Sequence, residues 1–452
     1  MLLSCTIRCA MKTARVKYAV LPVCMLASAL THTSAQTLQV TPNPAMVDEA
    51  IAVRISGLEP GEHVIVRAEL VDGAEQHWHS EAQFVADAQG DIDSSSQAPV
   101  DGSYKDISGP GLIWSMRSTD KHAAIYQPPR ELAAQPVEFQ LFRKGKLTSS
   151  VTLQQVCLAP GVQRINLQGE LHGALFVPAG GGSHPGVLVV GGSEGGIAVG
   201  KAVWLAGHGY AALALAYFRY EDLPKYLEAI PLEYFGTALG WMMKRPEIEP
   251  EHIAVLGTSR GGELALQLGS LYPQFKAVVA YVPANVRYAA CCGATDVPFA
   301  WTWHGQPLAY MRAPYWNSAG FGEESALMNA AISVENTKGP ILMIGGEDDG
   351  VWESSRMVEE AAGRLKRAHF PYAVEVLKYA HAGHRAGLPE IIPSWHGSVS
   401  HPVSGRAMNY GGDAKGDAES SLDAIPKVLE FLRTSLEGAS AASSKVAPLP
   451  DK

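Results

Sequence analysis

The chain has 452 residues, enough for two or three domains and a large core. Hydrophobic residues make up 47% and charged residues 18%, which excludes wholesale disorder. A formal charge of −9, with no Lys/Arg run, gives no basis for nucleic-acid binding, and 45 Gly with 29 Pro is too few for a collagen-like or low-complexity chain.

Residues 1–35 carry Arg8, Lys12, Arg15 and Lys17 and no acid, then an apolar run over 18–30 and a small-residue stretch containing Ala27-Ser28-Ala29. Thr33-Ser34-Ala35 is a looser second cleavage site, and Met11 an alternative start. This is the pattern of a secretory signal. The run is shorter than the roughly 20 residues that span a bilayer, and bulky Val23 before Cys24 argues against lipid attachment. Removal of these four positive charges takes the formal charge from −9 to −13. Export to the periplasm or medium is expected if the signal works, and a cytoplasmic location otherwise. No other segment is apolar enough for stable membrane insertion. Cys157, Cys291 and Cys292 remain beyond the signal; a bridge from Cys157 to one of the other two is open, and no CxxC pair points to zinc.

Residues 36–158 read as an all-β sandwich. Ile51, Val53 and Ile55 alternate with other residues, as do Val64, Val66, Ala68 and Leu70, then Val137, Phe139 and Leu141, and Val151 with Leu153 after a turn at 143–146. His63, His77 and His79 are expected at its surface.

Residues 159–437 change texture. Continuous apolar runs at 187–190, 211–216, 253–256, 277–280 and 341–344 alternate with helical stretches at 201–208, 232–243 and 263–271. Strands apolar on both faces need helices on both sides, so this part is an α/β domain with a mainly parallel sheet. A helix over 422–436 closes it, and 438–452 reads as a disordered tail.

Gly257-Thr258-Ser259-Arg260-Gly261 follows the strand at 253–256 and opens a helix. That is the strand–turn–helix setting of a G-x-S-x-G nucleophile elbow, which makes Ser259 the candidate nucleophile. A serine hydroxyl needs a base, and the base an orienting acid. Asp349, in Gly345-Gly346-Glu347-Asp348-Asp349 behind the strand at 341–344, is the acid, with Asp348 as alternative. His384, on the loop after the strand at 374–379, is the base, with His381 as alternative. No HExxH helix accompanies this pair, so no metal and no cofactor are expected. The oxyanion of a tetrahedral intermediate calls for the backbone N–H of Arg260 and a second donor from Gly191-Gly192-Ser193-Glu194-Gly195-Gly196, at Ser193 or Glu194. That loop lacks the spacing of a phosphate cradle.

The chain resembles the acyl-CoA thioesterase / bile acid-CoA:amino acid N-acyltransferase family. In its first half the likeness lies in Ile55-Ser56-Gly57-Leu58, Pro60-Gly61 and Gly111-Leu112-Ile113-Trp114-Ser115-Met116. It continues through Leu205-Ala206-Gly207-His208-Gly209, Leu215-Ala216-Tyr217, Glu221-Asp222-Leu223-Pro224 and Leu232-Glu233-Tyr234-Phe235, then Gly346-Glu347-Asp348-Asp349 with Trp352, Ala382-Gly383-His384 and Gly411-Gly412. The resemblance covers about residues 40 to 436. It implies a β-sandwich followed by an α/β-hydrolase, a triad of Ser259, Asp349 and His384, and hydrolysis of a small-molecule acyl-CoA thioester to free acid and CoA. Amine-conjugating members use cysteine as nucleophile, so a serine favours water as acceptor. Three features depart from animal members: Arg260 and Glu263 in the elbow, Arg385-Ala386-Gly387-Leu388 at the expected pocket rim, and the signal segment. The last leaves a second reading, an exported esterase, amidase or N-acyltransferase acting on a non-CoA acyl substrate. A third is a secreted, non-catalytic binding protein.

Overall fold

The computed structural model describes residues 36–119, 125–293, 297–311, 329–393 and 398–443; the signal segment lies outside the described residues. From Gln36 onward the chain forms one compact unit.

The first part is a sandwich. Its larger sheet orders Ala45–Met46, β6 (Lys146–Val156), β5 (Gln135–Arg143), β3 (His63–Val71), β4 (His77–Val85) and Asp101–Gly102, and Arg117–Ser118 also pairs with β4. Its smaller sheet joins β1 (Thr37–Thr41), β2 (Ala52–Ser56) and Ile92–Asp93. The period-2 pattern maps directly onto burial: Val64, Val66, Ala68 and Leu70 of β3 and Val137, Phe139 and Leu141 of β5 point into one core. His63, His77 and His79 are exposed, and His63 Nδ1 lies 3.1 Å from Gln83 Nε2.

The second part is an eight-stranded sheet. Its order is β7 (Gln163–Asn166), β8 (His172–Val177), β10 (Ala211–Ala216), β9 (His184–Val190), β11 (Ile248–Thr258), β12 (Phe275–Tyr281), β13 (Ile341–Gly346), β14 (Val374–Tyr379). β7 and β8 run antiparallel at one edge, and the six strands from β10 to β14 are parallel. Alternate residues of each buried strand serve opposite faces. Leu188, Val190, Val255 and Val278 pack against α2 (Glu233–Met242), α3 (Arg260–Leu271) and α4 (Ser354–Arg367). Val187, Val189, Leu256 and Val279 pack against α1 (Val199–Gly207) and α5 (Ala414–Ser443). This two-sided burial is why the runs are continuously apolar. The fold is therefore an α/β-hydrolase domain preceded by an all-β domain.

The last helix starts at Ala414, eight residues before the expected Leu422, and continues to Ser443, into the stretch read as tail. Polar residues at its start hid it: Asp417, Ser420 and Ser421 are buried, with both serine hydroxyls donating to the Asp417 carbonyl. Residues 444–452 lie outside the described residues.

The two layers are bonded together. Asp48 of the sandwich accepts from Trp204 Nε1 at 3.0 Å and lies 2.7 Å from His208 Nε2. Ile391 N–H donates to the Val47 carbonyl and Gln155 Nε2 to the Ile391 carbonyl. Ile392, Val399, Ala414 and Ala418 complete the sandwich core, so the first part braces the C-terminal segment that follows His384.

Candidate active site

Strand β11 ends at Thr258 and α3 begins at Arg260, so Ser259 is the sole residue between them. It adopts φ 59°, ψ −122°, a region non-glycine residues rarely enter. The turn closes only because its neighbours lack side chains. A Cβ on Gly257 would fall 2.0 Å from the Gly261 carbonyl oxygen, and one on Gly261 2.3 Å from that of Gly191. The strained turn is fastened by Ser259 N–H to the Tyr281 carbonyl at 2.9 Å. Its hydroxyl is thereby lifted to the C-terminal end of the sheet, over a helix N-terminus that favours negative charge.

Asp349 follows β13. Its side chain is fully buried, and Oδ1 accepts from the N–H groups of Val351 and Trp352 at 2.9 and 3.3 Å. His384 follows β14, with its own N–H donating to the Tyr410 carbonyl at 2.7 Å. Its ring packs edge-on against Trp352 and Tyr410, at centroid separations of 5.0 and 5.6 Å. Nδ1 lies 2.8 and 3.0 Å from the two Asp349 oxygens, and Nε2 lies 2.8 Å from Ser259 Oγ. A carboxylate only accepts, so it fixes the ring proton on Nδ1 and leaves Nε2 to accept from the serine hydroxyl. The structure thus brings Ser259, His384 and Asp349 into one hydrogen-bonded chain. The alternatives, His381 and Asp348, pair with each other at the surface, 3.4 Å apart, with their side chains 74% and 55% exposed.

The loop after β9 lies beside the elbow. Tyr217 Oη donates to the Gly191 carbonyl at 2.7 Å. The backbone N–H groups of Ser193 and Glu194 make no hydrogen bond to the described residues. Glu194 has a further role the sequence did not reveal: its carboxylate accepts from Gly192 N–H at 3.0 Å. Arg260 and Glu263, the charges that set this elbow apart, form a buried ion pair, 1% and 0% exposed, with Nε and Oε2 3.0 Å apart in contact yet without hydrogen-bond alignment. Trp301 Nε1 donates to Glu263 at 2.7 Å. Arg260 also donates to the carbonyls of Ala289 and Tyr288, so its guanidinium holds the segment that leads to Cys291 and Cys292. Burial pushes the Glu263 carboxyl upward, against the opposite pull of Arg260 and Trp301.

A cavity of about 480 Å³ opens at Ser259. Ser193, Tyr226, Trp352 and Met408 line it, together with Cys291 and Cys292, which are joined to each other. Because Cys291 and Cys292 pair with each other and Cys157 is a free, half-buried thiol, the bridge left open for it is not formed; burial raises the Cys157 pKa to about 11. Arg385–Leu388 does not form the cavity wall: Ala386 and Leu388 are core residues, and Arg385 pairs with Glu390 at 2.8 Å. The wall is made instead by 401–408, from which His401 also enters. His401 carries no local sequence signal, since its side-chain partner Ser193 is 208 positions away.

Two family models match the chain. One, described as the N-terminal region of acyl-CoA thioester hydrolase/BAAT, matches residues 48–169; the other, BAAT / acyl-CoA thioester hydrolase C terminal, matches residues 230–438. Similar proteins include mouse acyl-coenzyme A thioesterase 6, 29% identical over 89% of this chain and 98% of its own length. Mouse peroxisomal succinyl-coenzyme A thioesterase is 29% identical over 88% of this chain and 96% of its own. Human bile acid-CoA:amino acid N-acyltransferase is 31% identical over 88% and 97%.

Proposed function

Because the chain belongs to the acyl-CoA thioester hydrolase/BAAT family, we propose that it is a serine acyl-CoA thioesterase working through Ser259, His384 and Asp349. The single observation that carries the reading is the 2.8 Å contact between His384 Nε2 and Ser259 Oγ, with Asp349 behind the ring.

The chemistry follows from these positions. Ser259 Oγ attacks the thioester carbonyl carbon while its proton passes to His384 Nε2. The resulting oxyanion is stabilised by the backbone N–H of Arg260 and a donor from Ser193 or Glu194. Collapse breaks the carbon–sulfur bond, and the departing CoA sulfur takes the proton from His384. Water then attacks the acyl-serine ester, giving its proton to His384, which returns it to Ser259 as the carboxylic acid leaves. Asp349 keeps the imidazole in the working tautomer and stabilises the imidazolium.

The alternative acyl acceptor is an amine. Human and mouse N-acyltransferases are 31% identical to this chain, and an amino acid entering at the second step would give an amide. The elbow serine supports water. We also propose export, on the signal-like pattern of residues 1–35, which would favour acyl compounds met outside the cytoplasm; mass spectrometry of the mature N-terminus tests it. A panel of acyl-CoAs of increasing length, simple esters and acylated amines, assayed with and without glycine, tests the reaction itself. Preferential release of CoA and free acid supports it. Turnover of esters or amides alone would replace the CoA assignment, and amide product would replace water as acceptor.

A further inference from the structure

His401, 3% exposed, sits in the turn between Ser398–Ser400 and Ala407–Asn409 and reaches the cavity. Its Nδ1 lies 3.2 Å from the N–H groups of both Val403 and Ser404. Those groups can only donate, so Nδ1 accepts and the ring proton resides on Nε2. Burial lowers the pKa of this ring, opposed by Glu194 and assisted by Arg219, which keeps it neutral. Nε2 lies 2.9 Å from Ser193 Oγ, and 3.7 Å from the weaker acceptor Cys292 Sγ. The Nε2–H therefore donates to Ser193, whose oxygen is occupied as an acceptor and whose own hydrogen is left to give. Among the described residues the Ser193 hydroxyl has no other partner. It lines the same cavity as Ser259, and the residue before it approaches the elbow so closely that a Cβ on Gly192 would lie 3.4 Å from Ser259 Cβ.

We propose that the Ser193 hydroxyl donates a hydrogen bond to the oxygen of the reacting acyl carbonyl, and that His401 is the positioning residue that aims it there. The inference rests on the hydrolase reading of Ser259 and adds a side-chain donor to the backbone donors expected there. As the tetrahedral intermediate forms, negative charge gathers on that oxygen. A donor fixed before reaction then strengthens its bond in the transition state, so its loss falls on kcat rather than KM. The loop and the turn are also tied by Arg219, which donates to the carbonyls of Glu194 at 2.7 Å and Pro402 at 3.1 Å, so removing the imidazole leaves a second tether.

The test is steady-state kinetics of Ser193→Ala, His401→Phe, His401→Gln and the Ser193→Ala/His401→Phe double variant, on an acyl-CoA and on a p-nitrophenyl ester. Ser193→Ala and His401→Phe should each lower kcat about 10- to 100-fold with KM within about threefold. The double variant should be no worse than the poorer single by more than about twofold, because both remove one donor. His401→Gln, which keeps an N–H donor, should recover most of the loss. Ser193→Ala with kcat within twofold of wild type, or a double variant whose losses multiply, overturns the proposal. A wild type active on the ester alone would refute the CoA assignment while the same comparison still reads the Ser193 donor. A wild type inert on both substrates would overturn the hydrolase reading and this inference with it.

Discussion

His384 Nε2 stands 2.8 Å from Ser259 Oγ, although the two residues are 125 positions apart in the chain. His381, three residues earlier, has an ion-pair partner too, but at the surface and on Asp348. The two histidines therefore separate cleanly. His384→Ala should lower kcat by about 10³-fold or more, and His381→Ala should leave it within about twofold. Hydrolysis of one acyl-CoA by both purified variants decides it; the reverse ranking would move the base to His381.

The elbow turn leaves no room for a methyl group. Gly261→Ala would press a Cβ against the carbonyl oxygens of Gly191 at 2.3 Å and Val190 at 2.6 Å, all backbone contacts that cannot swing aside. Overpacking of this kind typically costs about 1–3 kcal/mol. We expect urea unfolding of Gly261→Ala to show a loss of at least that size, together with slower labelling of Ser259 by a fluorophosphonate. An unchanged midpoint and labelling rate would contradict the turn geometry.

The buried Arg260–Glu263 pair gives an asymmetric prediction. Removing one partner strands the other charge, at about 3–5 kcal/mol, whereas apolar replacement of both is far milder. Glu263→Leu should therefore lower the denaturant midpoint more than Arg260→Met/Glu263→Leu does. Equal losses would mean the two side chains do not act as a pair.

Asp417 couples stability to pH. It is 5% exposed, and its Oδ1 accepts from Gly383 N–H at 2.9 Å, next to His384. Burial raises its pKa to about 6 from an ordinary value of 3.8, partly offset by Arg385. A carboxyl whose folded pKa is raised contributes stability that is fully present below about pH 4 and is lost as pH climbs through 6. The difference amounts to roughly 3 kcal/mol. Asp417→Asn keeps an acceptor for Gly383 and removes the titration. Unfolding free energies at pH 4.5 and 7.5 should show the variant gaining on wild type at the higher pH; parallel pH profiles would refute the assignment.

Much of this architecture could be read before the structure, and the reasons are local. The apolar runs around Val189 and Val279 announce themselves because each is buried on both faces. The elbow is legible because only glycines fit at 257 and 261, and Asp349 and His384 because each follows a strand of the parallel sheet. The edge strand β7 carries no such run: Gln163–Asn166 is mostly exposed. The pairing and burial of Arg260 and Glu263 were not legible, because sequence gives no burial. His401 was invisible for a different reason. Its meaning lies in one hydrogen bond to Ser193 and two to the backbone of its own turn, and none of these has a periodicity.

The central claim is that Ser259 carries the acyl group of an acyl-CoA. Following free CoA thiol released from an acyl-CoA by wild type and by Ser259→Ala, with equal melting temperatures as the control for folding, tests it most directly. The account predicts that wild type frees CoA and acid in equal amounts while the alanine variant releases none above the uncatalysed background. CoA release by Ser259→Ala at the wild-type rate would contradict it.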